Sequence, residues 1–159
     1  MSIRRRILTG RPPTRTRKTQ KNKKLTTSPI VSTFLHMLTT VKLFHWKNTD
    51  YATHKATDEL YSELKDKIDT FVEVMLGKLE VGSRAKLLNI SLLKLDVASH
   101  NNAFKKQIEE YKRFLIAFKE PALGTDLLAI RDELLAAFNK CLYLMGGAPP
   151  DPPIAGGWW

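Results

Sequence analysis

At 159 residues, 43% of them hydrophobic and 9% aromatic, the chain suits one folded domain and cannot be disordered throughout. A lone cysteine, Cys141, excludes an internal disulfide and any cysteine-built zinc site. No apolar run nears the ~18 residues needed to span a bilayer, so no membrane partner is expected. The net charge of +10 is confined to one end. Arg4, Arg5, Arg6, Arg11, Arg15, Arg17, Lys18, Lys21, Lys23 and Lys24 precede the first acid, Asp50, and the other 16 basic residues balance the 16 acids.

Residues 1–25 therefore read as a basic arm. With Gly10, Pro12-Pro13 and few apolar side chains, it cannot bury enough surface to order itself and is expected to be extended or disordered in isolation. Its charge suits a polyanion, with lysines and arginines neutralising phosphates without reading sequence. A solubilising tail and an organelle transit peptide, also arginine-rich and acid-poor, are the competing readings.

Ser28-Pro29 reads as an N-cap followed by proline in the first turn of a helix. That helix is predicted to reach Trp46 or Lys47, with Ile30, Phe34, Leu38, Val41 and His45 on one face. Asn48-Thr49-Asp50 is a short loop. A second helix is predicted from Thr53 to about Leu79 or Val81, on a stripe of Leu60, Leu64, Ile68, Phe71, Met75 and Leu79, closed by Gly82-Ser83. The leucine-dense stretch Arg84 to Val97 suits a short helix packed across longer ones. A third long helix, Asn101 to Lys119, carries Phe104, Ile108, Tyr111, Leu115 and Phe118, and His100 belongs to its start. A fourth is predicted from a Thr125 cap to about Met145, on Leu127, Leu128, Ile130, Leu134, Leu135, Phe138, Cys141 and Leu142, ended by Gly146-Gly147. The remainder, 148–159, is a proline-stiffened tail ending in Trp158-Trp159. Four amphipathic helices, two short connections and one long crossover define an all-α four-helix bundle over residues 26–147, of the topology used by ferritin-like proteins.

One helix face concentrates chemistry. His54, Asp58, Asp69 and Glu73 fall at about 0°, 40°, 60° and 100° around the second helix. Each i,i+4 pair has the spacing at which two side chains can share a metal, and His45 ends the first helix beside Trp46. Imidazole with carboxylate suits iron, zinc or manganese. Yet His54 and Asp69 are separated by ~22 Å along the axis. Either there are two separate sites, or two chains meet antiparallel across a two-fold axis, so that the histidine end of one faces the acidic end of the other. The remaining histidine, His36, reads as a helix-face residue.

The run FHWKNTDYATHKATDELYSELKDKIDTFVE (residues 44–73) resembles the signature of the Dps family of small ferritins. The elements shared are His45-Trp46, His54, Asp58, and Asp69 with Glu73. The resemblance implies a ferroxidase centre shared across a two-fold interface. His45 and His54 would be iron ligands from one subunit, and Asp69 and Glu73 ligands from the partner. Asp58 would be a further ligand or supporting acid, and Trp46 would lie beside the site. HWKNTDYATHKA is also similar to a variant found in ferritin-like proteins of large eukaryotic DNA viruses. Two departures stand out: the interval between the histidines is about three residues shorter than in Dps proteins, which is expected to move His45 relative to His54, and no arginine closely follows Glu73.

Two functions follow as expectations. In the first, a homo-oligomer built on the two-fold dimer binds iron, oxidises it, and holds DNA through the arm. In the second, a virion structural protein, minor capsid or internal, keeps the bundle as a scaffold without catalysis. It meets other virion proteins, with Trp158 and Trp159 as anchors for a partner pocket. The expected location is intracellular, cytoplasmic or nuclear, or within a virion.

Overall fold

The computed structural model describes residues 27–87, 90, 94–119 and 123–146. The basic arm and the Trp158-Trp159 tail lie outside the described residues. Five helices follow in order: α1 (Thr27–Lys47), α2 (Tyr51–Gly77), α3 (Val81–Leu87), α4 (Asn101–Ile116) and α5 (Thr125–Leu144). No strand occurs among the described residues. No described helix is long and apolar enough to cross a membrane.

The four long helices form the bundle, and their directions can be read from paired side chains. Phe34 meets Phe71 edge to face at 5.1 Å, while His45 meets His54, so α1 and α2 are antiparallel. Glu59 and Glu63 pair with Lys140, Lys67 with Glu133, and Lys78 with Asp126, so α5 is antiparallel to α2. Phe44 stacks on Phe104 and Phe34 lies against Phe114, so α4 is antiparallel to α1. Helices α2 and α4 are therefore parallel. The chain leaving the end of α2 must travel the length of the bundle to begin α4, which is the long crossover the sequence predicts.

The core is the sum of the inward faces. Phe34, Phe44, Phe71, Phe104 and Phe138 are fully buried, with Met37, Leu60, Leu64, Ile108, Leu115, Leu134 and Val41. Each such side chain contributes about 1.5–3 kcal/mol by leaving water. Of the predicted α1 face, Ile30, Phe34, Val41 and His45 are buried and Leu38 is half-buried. Met37 and Phe44 widen the buried stripe beyond it.

Several boundaries differ from expectation. Helix α1 already includes Thr27 and Ser28, so Ser28 is not its cap. Helix α2 begins at Tyr51 because the Asp50 carboxylate accepts from the Thr53 backbone N–H. It ends at Gly77, and Gly82-Ser83 lies inside α3 rather than closing α2. Helix α3 starts at Val81, ahead of the predicted Arg84, and reaches Leu87; among the described residues beyond it Ile90 is half-buried, Leu95 is exposed, and residues 94–98 have no helical structure. Helix α4 stops at Ile116, and Phe118 reaches the core from beyond its end. The cap of α5 is Gly124, not Thr125. Its φ of 81° favours glycine, and a Cβ there would lie 3.0 Å from both Asp126 Oδ1 and Lys78 Nζ, the ion pair that pins the two helix ends. Gly146, with φ 65°, follows the last turn of α5 as expected.

Candidate metal centre

The α1–α2 corner sets the position of the histidines. Asn48 Oδ1 accepts from the Asp50 N–H at 2.8 Å, and its side-chain nitrogen donates to Asn101 Oδ1 at 2.7 Å. Asn101 in turn donates to Thr53 Oγ1 at 3.1 Å, and His100 caps α4 through the Ala103 N–H. A three-residue loop is thus tied to both helices it joins and to the start of α4. Beneath it, Phe44 and Phe104 stack at 3.9 Å, with their planes 6° apart.

On this base His45 and His54 face one another, rings stacked with centroids 3.9 Å apart. His45 Nδ1 lies 3.1 Å from the His54 carbonyl, and His54 Nδ1 lies 3.2 Å from the His45 carbonyl. A carbonyl oxygen only accepts, so in each neutral ring Nδ1 carries the proton and Nε2 keeps its lone pair. Thr57, fully buried, donates its hydroxyl to the Thr53 carbonyl at 2.8 Å and leaves an oxygen lone pair 3.3 Å from His45 Nδ1. Metal-binding histidines are characteristically held this way, with the non-ligating nitrogen donating to a carbonyl. His45 is only 6% exposed, and His54 is half-buried. The shorter loop between the histidines still brings them together.

Asp58, one turn beyond His54, places Oδ1 3.7 Å from His45 Nε2. Trp46 is on the same side but 68% exposed. Asp69 and Glu73 are exposed farther along α2 and do not join this group. Asp69 edges a groove of about 400 Å³ between α1 and α2, lined by Val31, Phe34, Leu35, Leu38, Ile68 and Val72. Among the described residues no three histidine, cysteine, aspartate or glutamate side chains converge as a metal cage. Within one chain the predicted ligands form two half-sets: His45, His54 and Asp58 at one end, and Asp69 and Glu73 at the other.

Sequence reasoning missed three participants. Thr57 orients the histidines, Asn101 fixes the corner, and Lys42 lies 3.8 Å from Asp58 Oδ1. Only Lys42 left a trace, as a cation one turn before His45. His36 is more than a helix-face residue, since its Nδ1 pairs with the Tyr111 hydroxyl at 3.0 Å. Burial drives the Tyr111 phenol up to about 12.

The class defined by this fold and corner is a ferritin-like helical bundle. The chain belongs to a family of unknown function (DUF5856), which matches residues 45–145, from the first of the paired histidines to the end of α5. Over 116 residues it is 27% identical to the DNA protection during starvation protein of Helicobacter pylori, a match covering 64% of this chain and 81% of that protein. That distant relationship supports a Dps-like ferritin ancestry. No solved structure matches the chain.

Proposed function

We propose that this protein is a Dps-like member of the ferritin group that binds and oxidises Fe(II) at a centre completed by two subunits. In this reading it holds DNA through its basic arm. The observation that carries the iron reading is the reciprocal anchoring of His45 and His54. Each ring spends its Nδ1 proton on the other's carbonyl and keeps Nε2 available as a ligand. The donor set fits iron: two imidazoles and Asp58 on one side, with two exposed carboxylates, Asp69 and Glu73, free to serve a neighbouring subunit. The ~22 Å between the half-sets is satisfied when two α1–α2 faces meet antiparallel, giving two equivalent centres per dimer. Fe(II) and the oxidant are then substrates. The chain's residues hold the ion, orient it and leave positions open on it.

For DNA, the support is the arm's ten positive charges over a charge-balanced body and the role named for the Helicobacter pylori relative. The test is Fe(II) oxidation followed optically beside the protein's mass in solution. The wild type should oxidise Fe(II) faster than buffer and run as a multiple of the dimer, while His54→Ala with Asp69→Ala should lose the oxidation and keep the fold. A monomer that neither binds nor oxidises Fe(II) would refute the reading and favour a scaffold role, the virion protein among them.

A further inference from the structure

A second groove, between the start of α2 and the end of α5, has no part in the metal reading. It encloses about 580 Å³, a size usual for ligand pockets. Ala52, Ala56 and Ser62 of α2 line it, and Leu144, from the last turn of α5, closes them in. Two aromatic side chains adjoin these walls in the chain: Tyr51, 77% exposed, precedes Ala52, and Tyr143, 78% exposed, precedes Leu144. Apolar surface gathered in this way marks an interaction site. The charges at the groove are uneven. Asp58 lies beside Lys42 and Glu59 is paired with Lys140, whereas Lys55 has no ion-pair partner among the described residues. The occupant that fits is apolar and carries one negative charge.

We propose that residues 147–159 of the same chain fold back into this groove, with Asp151 on Lys55 and Trp158-Trp159 over the apolar floor at Ala52, Ala56 and Leu144. The segment reads GAPPDPPIAGGWW, and Asp151 is its one charged side chain. It leaves the bundle at the rim of the groove, because α5 ends at Leu144 and Gly146, with φ 65°, takes the chain off the helix axis. At ~3.1 Å per residue its thirteen residues span about 40 Å. Residues 52–62 cover only about 15 Å of α2, so the tail is long enough to run along the groove and return through Gly156-Gly157. Four prolines limit the conformational freedom lost on docking, and the tether supplies the tail at about millimolar effective concentration. Two buried indoles remove about 300–500 Å² of aromatic surface from water. The tryptophan pair is then a clasp across α2 and α5 of its own chain and not an anchor for another protein.

The experiment uses the full-length protein carrying Trp46→Phe, which leaves Trp158 and Trp159 as the only indoles. Their emission should lie to the blue of free tryptophan and resist quenching by acrylamide. Leu144→Asp puts a charge on the apolar floor and should shift the emission to the red and open the indoles to acrylamide, with helicity by circular dichroism unchanged. Lys55→Glu should lower the ratio of docked to free tail about fivefold, and Lys55→Glu with Asp151→Lys should restore it. A photoreactive benzoylphenylalanine in place of Trp158 identifies the chain on which the tail lies. Irradiation should join it to residues 52–62 or to Leu144 in a product with the mass of one chain. Products of twice that mass would overturn docking within the chain and give the groove to a second copy. Indoles as exposed before the Leu144→Asp change as after it, with no cross-link to the groove, would overturn docking altogether.

Discussion

Phe104 offers the sharpest test of how the corner is built. Its ring is fully buried and stacked on Phe44, the residue before His45. Phe104→Ala removes a ring whose space neighbouring residues cannot refill, because α4 is pinned there by Asn101 and the His100 cap. Buried Phe→Ala changes cost about 3–5 kcal/mol, from lost transfer energy and the cavity left behind. In urea, with a slope of about 1.5 kcal/mol/M for a chain of this size, a loss of about 4 kcal/mol lowers the midpoint by about 2.5 M at fixed protein concentration. Phe104→Leu should cost about 1 kcal/mol. Tyr143→Ala, at an exposed position on α5, should stay within about 0.5 kcal/mol. A shift below about 0.7 M for Phe104→Ala, with the slope unchanged, would show that the stack does not support the corner.

Other outcomes follow from the same structure. Deleting residues 1–24 should abolish DNA binding in a gel-shift assay, and the intact protein's affinity should fall steeply with salt; undiminished binding by the truncated form would refute the role of the arm. Raising the pH above 10 should destabilise the fold, since burial drives Tyr111 up to about 12 and pairing with Glu59 and Glu63 raises Lys140. Both groups therefore lose protons more readily once unfolded, and alkaline melting curves of Tyr111→Phe and of Glu59→Gln with Glu63→Gln should each be flatter than wild type. At the acid end, the Lys78 pairing holds Asp126 below its ordinary value. Its contribution is present above about pH 4 and is lost as pH falls through the folded value, so Lys78→Met should melt with less acid dependence. Burial raises the Cys141 thiol to about 12, so a thiol reagent at pH 8 should label Cys141 only as fast as the protein opens.

The sequence by itself determined the helices, their order and most of the inward residues, because burial repeats with the helical period and a long bundle averages over local error. It also determined that Asp69 and Glu73 could not join His54 within one chain, since the rise per residue fixes that distance. Helix ends were less legible. Gly82 and Thr125 carry the composition of stop and cap, yet α2 ends at Gly77 with a Lys78 cap, and the cap of α5 is Gly124, whose positive φ favours glycine and whose Cβ would lie 3.0 Å from Asp126 Oδ1 and Lys78 Nζ. Only the tertiary structure decided the chemistry of the corner. The ring protons of His45 and His54 are placed by carbonyls nine residues away, Asn101 reaches back across 48 residues to Thr53, and Lys42 meets Asp58 from another helix. A one-dimensional pattern marks which side chains share a face of one helix. Which nitrogen keeps a lone pair, and which carboxylate has a lysine beside it, depend on atoms that come together only when the helices pack.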